Sequence, residues 1–302
     1  MRNIFIILII LFFSLSPKAA ALETDFIIGD LMPDAPNLAE RGEYKVGVKT
    51  LEIVNKDQID ILDYSENNQK PTYDRPLTLE IWYPAIIPEG RKEMTEYRDY
   101  YFNNESINYR GRALRGAEVD NSGGQYPLLI ISHGYPGTRY MMSYLAENLA
   151  SKGYVVASIS HTESTVRDQA GFASTLLNRS LDIEFTLEKI SKFAEAGSGH
   201  FLAEVVNADN TGLIGYSMGG YGVVNSAGAG YTESAVNLSW GVPGGHLEIR
   251  QAGNQTYQES LDDRIKAVFA MAPWGANNGF WNPISGVRGC LAATAPRTKR
   301  DS

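Results

Sequence analysis

The stretch Thr211-Gly-Leu-Ile-Gly215-Tyr216-Ser217-Met218-Gly219-Gly220 decides how this chain is read. A short apolar run enters a Gly-x-Ser-x-Gly motif and small residues follow, the order of a strand, a sharp turn and a helix. A serine at the tip of such a turn takes a strained backbone. Residues two before and two after it must be tiny for strand and helix to converge. The helix N-terminus then aims free N–H groups at charge developing beside the serine. In a chain with 29 glycines the motif alone reads equally well as a glycine-rich turn.

A second element tips that balance. Tyr126-Pro-Leu-Leu-Ile-Ile-Ser132 is a short apolar strand that runs into His133-Gly134-Tyr135-Pro136-Gly137. A serine on a strand-to-helix turn needs a second backbone N–H from the loop after an earlier strand. Met218 N–H and Tyr135 N–H are therefore the candidate oxyanion hole, with Ser217 the candidate nucleophile. Between the motifs, apolar spacing predicts a helix over 138–152 ended by Gly153, a buried strand over 154–160 and a helix over 174–193. Ile265-Lys-Ala-Val-Phe-Ala-Met-Ala272 predicts a further strand. Strands alternating with such helices define an α/β fold, a mostly parallel sheet with helices on both faces. Chemistry in such sheets lies at the carboxyl ends of the strands, where His133, His161 and Ser217 fall.

With these motifs stand Tyr44-Lys-Val-Gly-Val-Lys-Thr-Leu-Glu-Ile-Val54, Arg75-Pro-Leu-Thr-Leu-Glu-Ile-Trp-Tyr-Pro84 and His161-Thr-Glu-Ser-Thr165. Together, over roughly residues 40 to 280, the chain resembles bacterial relatives of the platelet-activating-factor acetylhydrolase and dienelactone-hydrolase group. The resemblance implies an α/β-hydrolase fold and an esterase acting through a Ser-His-Asp triad, without metal or organic cofactor. It carries the nucleophile to Ser217 and the oxyanion donors to Tyr135 and Met218. The substrate is expected to be a small-molecule ester, with lipid acetyl esters, lactones, thioesters and polyesters all open. A catalytically silent ligand-binding or degraded homologue is the alternative.

The N-terminus sets the expected compartment. Arg2, an apolar run from Ile4 to Phe13 and Ala19-Ala20-Ala21 read as a signal peptide over 1–21, so the mature chain is expected in the periplasm or secreted. The run is short for a membrane span of about 20 residues, and no stable membrane anchor is expected after cleavage. The formal net charge of −8 argues against nucleic acid as a partner. Cys290 is the only cysteine, so no internal disulfide forms, and no metal-ligand spacing is present.

Residues 22–283 read as one α/β-hydrolase domain. Asn55 to Tyr73 reads as a solvated connection. Ser226 to Asp263 reads as an excursion that starts on the side of the sheet opposite the active site. His133 is expected to orient the oxyanion loop, and His133 and His161 are possible pocket residues. His200 is expected in solvent, and His246 fits poorly as a base. In α/β-hydrolases the acid and then the histidine follow the nucleophile. After Trp274 no acidic residue occurs until Asp301, and no histidine at all. Triad acid and base are therefore unassigned. Residues 284–302, basic and without strand alternation, read as an atypical tail in place of the last strands. The sheet is expected incomplete, C-terminally truncated or frameshifted near residue 283, with an unpaired apolar edge and impaired activity.

Overall fold

The computed structural model describes residues 27–101, 103–275 and 279–281, and the backbone of 290–294. The signal region expected at 1–21 lies outside the described residues. In chain order the elements are β1 (Val46–Ile59), β2 (Thr72–Ile86), β3 (Thr95–Tyr100), β4 (Ser106–Gly111), β5 (Leu114–Arg115), β6 (Glu118–Val119), β7 (Tyr126–Ser132) and α1 (Ser143–Ser151). Then come β8 (Val155–Ser160), α2 (Phe172–Ala194), β9 (Val206–Tyr216), α3 (Met218–Ser226), α4 (Glu233–Val236), α5 (Gln255–Glu259), β10 (Ile265–Met271) and β11 (Cys290–Thr294).

The main sheet runs β11-β10-β9-β7-β8-β2-β1-β5, with β6 beside β2. From β8 to β11 neighbouring strands are parallel, while β2 is antiparallel to both β1 and β8. Because side chains alternate along a strand, the sheet builds two cores at once. Ile81, Tyr83, Ile130, Val155, Ala157 and Leu213 face α2 and α3. Their neighbours Trp82, Ile131, Val156 and Ile214 face the opposite side with Ala146 and Ala150 of α1. Burial on both faces explains why β8 reads as a continuous apolar run.

Two expectations are corrected, and a third is extended. The tail contributes β11, which pairs in parallel with β10, Ala267 opposite Cys290 through Met271 opposite Thr294. Cys290-Leu-Ala-Ala is a short apolar run, and an apolar run without alternation is compatible with a strand of a parallel sheet. The edge of β10 is therefore occupied. The connection after β1 is shorter than expected, because strand pairing continues to Ile59 and restarts at Thr72. A bulge between Asn55 and Gln58 shifts the register by one residue, and pairing resumes beyond it. The excursion after α3 wraps back toward the active-site edge. Trp240 lies 6.3 Å from both Phe172 and Phe280, ring centre to ring centre. Among the described residues no helix is long and apolar enough to cross a membrane.

Candidate active site

Strand β9 delivers Ser217 to the carboxyl edge of the sheet, and α3 starts with the next residue. Ser217 has φ 53° and ψ −114°, a conformation that costs about 1–3 kcal/mol and persists only when its surroundings enforce it. Three main-chain bonds do so. Ser217 N–H donates to the Met271 carbonyl at 2.9 Å, and the Ser217 carbonyl accepts from Tyr221 N–H at 3.0 Å and Trp274 N–H at 2.9 Å. A β-carbon on Gly215 would collide with the Gly219 carbonyl, and one on Gly219 with the Ser132 carbonyl. Both glycines of the motif are thus required by space, which separates this turn from an ordinary glycine-rich one.

The His133–Gly137 loop lies directly against Ser217. A β-carbon on Gly134 would be 3.5 Å from Ser217 Cβ. Gly137 N–H donates to the Ser164 carbonyl at 3.2 Å, and Arg179 Nη1 donates to the His133 carbonyl at 2.9 Å. Met218, at the first position of α3, has an N–H that the helix does not use. No acceptor for Tyr135 N–H is found among the described residues. Aromatic rings border the loop, with Tyr135 5.3 Å from Phe172 and Phe172 5.3 Å from Trp274, centre to centre.

Beneath the loop lies a buried network that sequence reasoning missed. His161 Nε2 is 2.8 Å from Ser132 Oγ, and its Nδ1 is 2.9 Å from Asp182 Oδ2. Arg75 clamps the same carboxylate through Nε and Nη2 at 2.8 and 3.0 Å. The order is Ser-His-Asp, but Ser132, His161 and Asp182 are at most 1% exposed, and no substrate reaches them. The reading of His133 and His161 as pocket residues is corrected accordingly. His133 is fully buried and His161 1% exposed, and each spends both ring nitrogens on the protein. A signal existed in the sequence: Arg179 and Asp182 stand three apart within a buried stripe of α2. Charged residues at that spacing on an apolar face need partners elsewhere in the fold.

This network makes stability depend on pH. Burial, then the Arg179 charge, outweighs the Asp182 bond and holds His161 down at about 3. Burial, then Arg179 and His161, likewise pushes His133 well below the usual imidazole range. Unfolded imidazoles take up protons near 6.5 while these two do not. The unfolded state therefore binds more protons below pH 6.5, and stability falls as pH falls from there toward 3. At His161 the slope is about 1.4 kcal/mol per pH unit, or about 3 kcal/mol lost by pH 4.5. Asp182 adds to this at the acid end. Burial raises its pKa, but Arg75 and the His161 bond hold it at about 2, so its contribution goes as pH falls from 3.8 to that value. Urea midpoints at pH 7 and 4.5 should differ accordingly, and a flat profile would contradict the assignment.

All four histidines of the chain lie within the described residues, and none is hydrogen-bonded to the Ser217 hydroxyl. His200, expected in solvent, stacks on Phe193 at 4.1 Å, and His246 meets Tyr64 edge-on at 5.5 Å. Among the described residues no group of His, Cys, Asp and Glu is arranged to hold a metal ion. Among the described residues no imidazole or carboxylate is hydrogen-bonded to the Ser217 hydroxyl.

Fold and elbow define an α/β-hydrolase, and the comparisons narrow the class. The chain belongs to the family described as platelet-activating factor acetylhydrolase, isoform II, whose profile matches residues 38–196, just over half of it. It is 32% identical to the cutinases est1 and est2 of Thermobifida alba over 102 residues, 34% of this chain and 30% of each relative. The chain thus spans less than a third of the length of the curated relatives it matches. Its fold is similar to that of a ferulic acid esterase from Streptomyces cinnamoneus, with a TM-score of 0.52 and 20% identity. That match covers 87% of this chain and 67% of the other.

Proposed function

We propose that the chain is a serine carboxylic-ester hydrolase acting through an acyl-enzyme on Ser217. The observation that carries this reading is the strained elbow, with Ser217 at φ 53° and the Gly134 loop packed against it. Ser217 Oγ attacks the ester carbonyl, and the oxyanion accepts from Met218 N–H and Tyr135 N–H. Each such donor lowers the barrier by on the order of 3 kcal/mol. The alcohol leaves, and water then cleaves the acyl-serine. The serine proton needs an acceptor, and no imidazole is bonded to the hydroxyl. Turnover of this chain is therefore slow, lower by roughly 10⁶-fold than with a complete triad. The same absence supports the second reading, a silent homologue that keeps the pocket and binds a ligand.

The substrate class is a small ester. Aromatic rings around Tyr135 and the relatives named as cutinases support apolar or polyester substrates, and the family description supports lipid acetyl esters. The expected signal peptide supports action in the periplasm or outside the cell. Short-chain nitrophenyl esters test the chemistry. Slow hydrolysis that Ser217→Ala reduces to the solution background is expected. A rate unchanged by that substitution would remove the proposal.

A further inference from the structure

His133 offers both ring nitrogens to main-chain groups around the oxyanion loop. The His161 N–H donates to Nε2 at 3.1 Å. A backbone N–H only donates, so Nε2 carries no proton. The neutral ring must then carry its proton on Nδ1, which lies 2.6 Å from the Gly134 carbonyl oxygen and donates to it. Arg179 Nη1 stands 3.5 Å from the same Nδ1, but a guanidinium cannot accept that proton, and it donates to the His133 carbonyl instead.

The Gly134 carbonyl and the Tyr135 N–H are the two ends of one peptide unit. We propose that His133 is a positioning residue for the Tyr135 oxyanion donor: its Nδ1–H holds and polarises the Gly134–Tyr135 peptide, so that the N–H faces the oxyanion formed at Ser217. The inference rests on Ser217 being the nucleophile. A donor on the carbonyl end draws electron density through the conjugated amide and strengthens the N–H at the other end. Complete burial of His133 keeps water from competing for the carbonyl. The His161 main chain fixes the tautomer, and Arg179 and Ser164 fix the loop on either side of the peptide. His133 touches no reacting atom and acts only through this peptide.

Two near-isosteres separate this role from packing. An asparagine amide nitrogen falls near the place of Nδ1, so His133→Asn keeps the donor to Gly134. A glutamine amide falls near Nε2, so His133→Gln keeps only the contact to His161. The readout is the rate at which a fluorophosphonate labels Ser217, since the phosphonyl oxygen occupies the oxyanion position. His133→Asn should label within about fivefold of wild type, and His133→Gln and His133→Ala about 100-fold more slowly, the cost of one lost oxyanion donor. A ranking by volume, with glutamine equal to or faster than asparagine, would overturn the proposal. Should the variants fail to fold, nitrogen NMR of the wild-type rings decides: a bare Nε2 and a protonated Nδ1 at His133 are expected, and the opposite tautomer overturns it. Failure of the wild type itself to label counts against Ser217 as nucleophile. Wild-type labelling with the wrong ranking counts against His133 alone.

Discussion

Replacing Asp182 with alanine should cost this protein about 3–5 kcal/mol of stability, the range for breaking a buried ion pair by removing one partner. Arg75 is 2% exposed and gives two of its bonds to that carboxylate, at 2.8 and 3.0 Å. His161 gives a third at 2.9 Å. Without the carboxylate, a guanidinium remains deep in the fold with only Glu163 at 3.0 Å, Tyr73 and the Thr162 carbonyl as partners. The His161 ring loses the acceptor that orients it toward Ser132. For a domain of this size the loss corresponds to a fall in Tm of roughly 8–15 °C. Asp182→Asn keeps the volume and removes the charge, and it should recover less than half of the loss. Thermal and urea unfolding measure both variants. A loss below about 1 kcal/mol for Asp182→Ala would show that the network does not hold the loop side of the sheet together.

Gly219→Ala should damage the site more than its single added methyl group implies. The new β-carbon would collide with the Ser132 carbonyl and lie 2.8 Å from that of His133. Ser132 ends β7, a central strand, and cannot retreat, so α3 or the oxyanion loop must move. Overpacking of this kind costs about 1–3 kcal/mol. The larger effect is on chemistry, because the displaced groups are Met218 N–H and the His133–Gly137 loop. Labelling of Ser217 by a fluorophosphonate should fall by about 10³-fold, as when preorganised donors are lost. Gly134→Ala is the matched comparison. Its nearest atom is Tyr216 Cδ1 at 3.3 Å, so that variant should fold with only local adjustment. Equal labelling of Gly219→Ala and wild type would mean that the elbow is not under the constraint described.

The fold was legible where local chemistry and global architecture agree. Gly215 and Gly219 around Ser217 announce a turn that only tiny residues permit, and β8 announces its burial by an unbroken apolar run. The strand at 290–294 carries no alternation, and its short apolar run is too brief to announce a strand by itself. Asn55 to Ile59 resembles a loop because its residues are mostly polar, yet pairing with β2 continues through it. At the site, Ser217 and the His-Gly loop follow from motif and order. The roles of Asp182, Arg75 and Arg179 do not, since residues about a hundred positions apart meet only in the folded sheet. His161 shows the hazard plainly. Its place at the end of a strand on the active-site edge pointed to a pocket, and its hydrogen bonds point inward to Ser132 and Asp182.

The central claim is that Ser217 is a nucleophile held beside two oxyanion donors. Incubating the purified chain with a fluorophosphonate and mapping the adduct by peptide mass spectrometry tests it directly. One adduct per chain on the peptide containing Ser217 is expected, formed slowly because no imidazole is bonded to the hydroxyl, and absent from Ser217→Ala. A folded chain that acquires no adduct at Ser217, or acquires it at another residue, would contradict the account.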